Sequence, residues 1–284
     1  MSEVPSGKGP EEPTPEEELL HRVEDGVVWI TLNRPKAANA VTPDQRNRMI
    51  ELLEEASASL LVRAVVLTAT GDRFCTGADL RAGQRPPPPK PEGAPDRVIG
   101  DAARMIRTGA QRLIAAVLDC EKPVIAAVNG TAAGMGAHLA FACDLVVAAE
   151  EARFIEVFVR RGISPDAGGA YLLPRLVGLQ KAKELIFFGD DLPAAEAARI
   201  GLVNRVVPRE ELIGVAGELA ARLAAGPTKA IGAAKWLLNR SFESDRRTAF
   251  DEEAMAQDLV VHSVDAGEGL RAFAERRDPE FRGF

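Results

Sequence analysis

Cysteine is scarce in this chain: Cys75, Cys120 and Cys143 stand far apart, odd in number and with no CxxC pair. That usage suggests neither a disulfide framework nor a zinc site, and it fits a reducing cytoplasm. Histidine is equally rare. His21, His138 and His262 show no ligand spacing and form no HExxH, so metal catalysis has little support. No GxSxG elbow is present to offer a nucleophilic serine. No apolar run approaches the roughly 18 residues of a membrane span, and the N-terminal segment is acidic and proline-bearing, which reads as no signal peptide. A basic surplus is missing too. The net charge is −7; residues 1–20 carry six glutamates against one lysine, or −5, leaving −2 for the rest. Basic residues scattered among acids argue against nucleic acid as the principal partner.

What is present is ample apolar material, 46% of 284 residues, enough for a substantial core. Residues 1 to about 18, rich in Glu and Pro, read as a tail that cannot bury enough surface to order itself, with order beginning near Val23. In "VVWITLNRP", Val28, Ile30 and Leu32 alternate as in a strand, and Pro35 ends it. Thr42 then caps a helix carrying Met49, Leu52 and Leu53. "VRAVVLTATGDRF" and "KPVIAAVNG" read as buried strands. Between them, "DAARMIRTGAQRLIAAVLDC" reads as a helix with Ile106, Ala110, Leu113 and Val117 on one face. Strand, helix, strand with apolar strands implies a sheet covered by helices, an α/β fold. The proline run within "RAGQRPPPPKPEGAPDR" reads as an extended or mobile loop. From Pro165 onward the pattern is largely helical, with "GLVNRVVP" as one late strand.

Two glycine-bearing turns follow strands. In "RFCTGADL" a helix is expected to start around Asp79. In "VNGTAAGMGAHLAFACDL" Gly130, Gly134 and Gly136 lead into another. Each turn would leave unpaired N–H groups at a helix N-terminus, and two such turns aimed at one spot would form an oxyanion hole. Tight helix–strand packing is the alternative use of the same glycines, and Leu139 stands where a GxGxxG motif would need its third.

The segments "LNRPKAANAV", "FCTGADL", "KPVIAAVNGTAAGMGAHLAFACDLVVA", "PDAGGAYLLPRLVG" and "AAEAARIGLVNRVVP" occur in the order and spacing of the crotonase (enoyl-CoA hydratase/isomerase) superfamily, which the chain resembles over about residues 22–284. The resemblance implies a spiral of βα units with a helical C-terminal region that forms trimers, commonly paired into hexamers. It divides the chain into an acidic disordered tail (1–20), an α/β core (21–207) with a mobile proline-rich loop (82–97), and a helical C-terminal region (208–284). It implies an acyl-CoA thioester as substrate, coenzyme A entering as part of that substrate and no other cofactor. The oxyanion donors it implies are the N–H groups of Ala78 and Met135. Lys36 matches a position contacting CoA phosphates, Ala38 and Asp79 match neighbours of adenine and ribose, and Phe273 and Arg276 match a C-terminal segment that reaches CoA, often in an adjacent subunit.

The departures from the family pattern carry the reaction. Two glutamates flank the water in typical hydratases of the family; here those positions are His138 and Phe158. Phe158 cannot exchange a proton, whereas His138 can, or it can be a packed structural residue. Asp166 stands in a column that carries an acid in several double-bond isomerases and the nucleophile in a dehalogenase. The dehalogenase also expects a histidine near Gln111, which weakens that role. The alternative reading of Asp166 is an N-cap. Glu156, two residues before Phe158, would share its face if the segment were extended, either substituting for the missing acid or forming an ordinary salt bridge. Cys75 reads as packing, and Tyr171 as a pocket wall or a core residue. The expectation is a cytoplasmic enoyl-CoA isomerase with Asp166 as proton shuttle; hydration, decarboxylation, thioester hydrolysis or noncatalytic acyl-CoA binding on the same scaffold are the alternatives.

Overall fold

The computed structural model describes residues 15–81, 91–95 and 98–284. Most of the expected acidic tail and of the proline-rich loop therefore lies outside the described residues. Among the described residues ten strands form two sheets. The larger has the order β1 (Leu19–Glu24), β2 (Val27–Leu32), β3 (Ala64–Ala69), β5 (Val124–Val128), β7 (Leu145–Ala149) and β10 (Arg205–Val207). The smaller joins β4 (Arg73–Cys75), β6 (Thr131–Ala133), β8 (Arg153–Ile155) and β9 (Asp191–Pro193). Pairing is parallel except for β1 with β2 and β8 with β9.

Parallel strands joined by crossover helices are covered on both faces, and the period of two then sorts residues into two cores. Val28, Ile30, Val65, Leu67, Ala126 and Val128 face the principal core. Val27, Trp29, Ala64, Val66, Ile125, Ala127, Val147 and Ala149 face the helix Leu212–Ala224, which meets them with Leu212, Ala216, Ala220 and Ala224. That i, i+4 row of alanines keeps the helix close to the sheet. The alternation expected of β2 is thus real, yet both sets of side chains are buried.

Three local expectations change. The chain enters the sheet at Leu19, not near Val23, because Asp25 and Gly26, both at positive φ, turn β1 back along β2. The span 101–119 is two helices, Asp101–Thr108 and Ala110–Asp119, broken at Gly109. No helix starts at Asp79; Ala78 instead forms an isolated parallel bridge with Val41. Thr42 caps as expected, through a capping box with Gln45. No helix among the described residues is long and apolar enough to cross a membrane.

The loop after β2 is held by one buried amide. Asn39, at φ +52°, accepts from Arg34 N (2.8 Å) and donates to Thr70 O (2.9 Å) and Arg73 O (2.7 Å). Replacing it with alanine removes all three bonds and leaves a Cβ residue without local compensation in the left-handed region. We expect Asn39→Ala to lower unfolding free energy by about 2–4 kcal/mol in a urea titration.

Candidate active site

The first part of the site is a seam between two loops. Val41 N donates to Gly77 O and Asp79 N donates to Val41 O, both at 2.9 Å, and the Thr76 hydroxyl donates to Ala38 O at 3.0 Å. In such a bridge the flanking residues make the bonds, so the N–H of Ala78 points away from Val41. Arg34 closes the seam with a 2.8 Å ion pair to Asp79, whose other oxygen accepts Arg81 N. Lys36, Ala38, Ala78 and Asp79 are therefore brought together. Lys36 is exposed on the short turn Pro35–Ala37, whereas the Asp79 carboxylate is already engaged in holding the loops.

The second part is the first turn of the helix Met135–Ala142. Gly134 N donates to Ile155 O, extending the β6–β8 ladder up to the helix start. Gly136 lies so close to β4 that a Cβ there would sit 2.1 Å from Cys75 O, so only glycine permits the approach. A Cβ built on Gly77 would lie 3.8 Å from Met135 N, which places the two turns in contact. Met135 N–H belongs to the first helical turn, which has no intrahelical acceptor. The two turns thus bring the backbone N–H groups of Ala78 and Met135, neither of them used by the bonds just described, into the same neighbourhood.

One turn further along that helix is His138, fully buried. Its Nε2 lies 2.9 and 3.1 Å from the two carboxylate oxygens of Glu156, itself 5% exposed. Phe158 stacks on the imidazole, centroids 5.2 Å apart and planes 14° from parallel. Both side chains reach His138 although Val157 and Phe158 form a turn and not the extended segment considered from sequence. Glu156 thus makes the paired contact expected as one alternative, but buried and with His138 as its partner. Gly169 makes room for the pair: a Cβ there would fall 2.1 Å from Nε2.

Asp166 sits half-buried before the helix Gly169–Val177. It is not the N-cap; Gly168 holds that position, with no side-chain cap bond. Asp166 instead opens a turn in which Ala167 (φ +48°) and Gly168 (φ +81°) are both left-handed and Gly169 N bonds back to Asp166 O at 3.2 Å. That leaves the carboxylate uncommitted to the helix. Burial raises its pKa above the usual carboxylate value, a rise that a charged His138 opposes.

The remaining candidates separate. Phe273 and Arg276 lie exposed at the end of the helix Val264–Glu275, with no hydrogen bond, ion pair or ring contact to the other predicted residues among those described. Tyr171 is a wall of a different concavity, of about 1500 Å³, bounded by the helices Thr228–Arg240 and Arg246–Val261. Its hydroxyl donates to Glu243 at 2.6 Å and Arg175 stacks on its ring. This concavity meets the C-terminal end of the helix Met135–Ala142, the end opposite the oxyanion turn, and the catalytic candidates do not line it. Cys75 is packing, as expected: burial pushes its thiol up to about 12 and also raises Cys120 and Cys143. We expect no thiol to react with a thiolate-selective disulfide reagent in the native enzyme at pH 8, and three to react after denaturation. Gly169→Ala is expected to cost about 1–3 kcal/mol by overpacking against the imidazole, read by thermal or urea unfolding.

Comparison with known proteins agrees with this architecture. The enoyl-CoA hydratase/isomerase family model matches residues 22–283. A probable enoyl-CoA hydratase from Rhodobacter capsulatus is 36% identical, covering 93% of this chain and 98% of its own. The 1,2-epoxyphenylacetyl-CoA isomerase of Escherichia coli is 36% identical with the same coverages. The crystal structure of a putative enoyl-CoA hydratase from Streptomyces coelicolor superposes with a TM-score of 0.84 at 37% identity, covering 99% of this chain and 100% of that one. With the paired N–H turns, the two sheets and the full-length match together, the chain belongs to the enoyl-CoA hydratase/isomerase family.

Proposed function

We propose that this acyl-CoA enzyme shifts a carbon–carbon double bond along an enoyl-CoA. The thioester oxygen is held by Ala78 and Met135 N–H, which stabilise the dienolate formed when a proton leaves carbon. Asp166 takes that proton and returns it to a carbon two positions away, so no atom is gained or lost. The supporting observation is the state of Asp166: half-buried, uncommitted as a cap, and with its pKa raised towards the range useful for a base. Lys36 and the backbone around Ala38 and Asp79 bind the nucleotide end of CoA, where a cation suits phosphate.

Hydration is the second reading, and one contact favours it. His138 against Glu156 is a second group able to exchange a proton, so the site has two despite Phe158. Product mass separates the two reactions.

The exposed apolar side chains Leu238, Met255, Leu259 and Phe273 on the C-terminal helices, with Phe242 in the turn between two of them, favour association into a trimer or hexamer, in which Phe273 and Arg276 reach the CoA of a neighbour. Mass photometry is expected to give three or six copies; a monomer would remove the role assigned to Phe273 and Arg276.

Incubation of 3-enoyl-CoAs in heavy water is expected to give deuterium uptake with double-bond migration, falling roughly 10²–10⁴-fold in Asp166→Asn. A gain of one water in the product would establish hydration instead. The base must be ionised and its pKa is raised, so activity should fall with acidification while the pH is still above the ordinary Asp value of 3.8. That acidic limb should be absent from the residual activity of Asp166→Asn.

A further inference from the structure

Glu156 has no place in the proton shuttle just described, yet it is the sole hydrogen-bond partner of the His138 ring among the described residues. Nε2 faces both carboxylate oxygens, whereas Nδ1 is buried without a partner. A neutral imidazole carries one proton, and the two nitrogens offer it very different surroundings. On Nε2 the proton lies between two acceptors. On Nδ1 it would be a buried donor with no acceptor, and the bare Nε2 lone pair would oppose the carboxylate. Orphaned buried N–H groups are rarer than under-used acceptors. The ring cannot readily turn away, because Phe158 covers its face and Gly169 closes on its Nε2–Cε1 edge.

We propose that Glu156 is a positioning residue: it fixes the proton of His138 on Nε2 and thereby keeps Nδ1 as a bare acceptor one helical turn from the oxyanion donor Met135. The inference rests on the hydration reading above, in which His138 is the second proton-exchanging group of the site beside Asp166. With Nδ1 bare, the imidazole takes there the proton that the water loses as its oxygen bonds to carbon, and the resulting imidazolium is balanced by the Glu156 carboxylate. The proton is later released from the same nitrogen, leaving the ring in its starting tautomer. Asp166 and Glu156 are the acids that bear on this ring: one through its charge, the other by direct contact.

The three histidines make the assignment directly readable. In ¹⁵N-histidine-labelled enzyme without substrate, long-range ¹H–¹⁵N correlation spectra should show His138 protonated on Nε2 and bare on Nδ1. The exposed His21 and His262 serve as internal reports that each variant is folded. Glu156→Gln, whose amide can either accept from Nε2–H or donate to a bare Nε2, should give a mixed or inverted tautomer. It should also lower water addition to 2-enoyl-CoA at least tenfold, with Glu156→Asp restoring part of both signals. Wild type protonated on Nδ1, or an unchanged tautomer in Glu156→Gln, overturns the proposal whatever the substrate. An Nε2–H tautomer lost in Glu156→Gln upholds the assignment, and absence of water addition on every acyl-CoA would then count against the hydration reading and not against the pair.

Discussion

The structure depends on a backbone approach that admits no side chain. Where the helix Met135–Ala142 begins, Gly136 lies against the carbonyl of Cys75 at a distance that a single Cβ would make impossible. This contact puts the first turn of one helix beside the loop that leaves β4, so two N–H groups from remote parts of the chain share one locus. The seam from Ala38 to Asp79 and the β6–β8 ladder hold the two sides of that locus. One side is a helix start and the other a loop pinned by its bridge to Val41, so both are held by bonds to distant parts of the chain.

Around that locus the polar groups follow a consistent logic. A buried imidazole is tolerable because a buried carboxylate meets it, and the carboxylate is tolerable for the same reason. Phe158 covers the ring face, so the pair sits in a low-dielectric wall and not in open solvent. Asp166, in contrast, is left half-buried by a turn whose two central residues are both left-handed. The chain thus places one acid in direct contact with the imidazole and leaves the other to feel the ring only through its charge.

Much of the scaffold was legible in the sequence because it rests on local rules. The capping box at Thr42, the apolar strands and the glycine turns each announce themselves within a few residues. β1 was hidden since it is an edge strand with only Leu19 buried, and its Asp25–Gly26 turn was the available signal. The expected helix at Asp79 is absent because the bridge to Val41, a partner 37 residues away, takes that segment. The His138–Glu156 contact was invisible for a similar reason: it spans 18 residues and is set by strand pairing, which no local period encodes. The family resemblance pointed to Ala78, Met135 and Asp166 and marked His138 and Phe158 as departures, but it had nothing that would pair Glu156 with His138.

Gly169 carries a consequence of another kind. Its missing Cβ is the space in which the His138 ring lies, 2.1 Å from where that atom would be. In evolutionary terms glycine at 169 is permissive: an imidazole of this orientation is accessible only to lineages that already possess it. Once the imidazole is in use, the glycine is locked in turn, because every other residue at 169 must first displace the histidine. The order of substitutions at these two positions is therefore constrained in both directions, and a single-site scan of either one would report a tolerance that belongs to the pair.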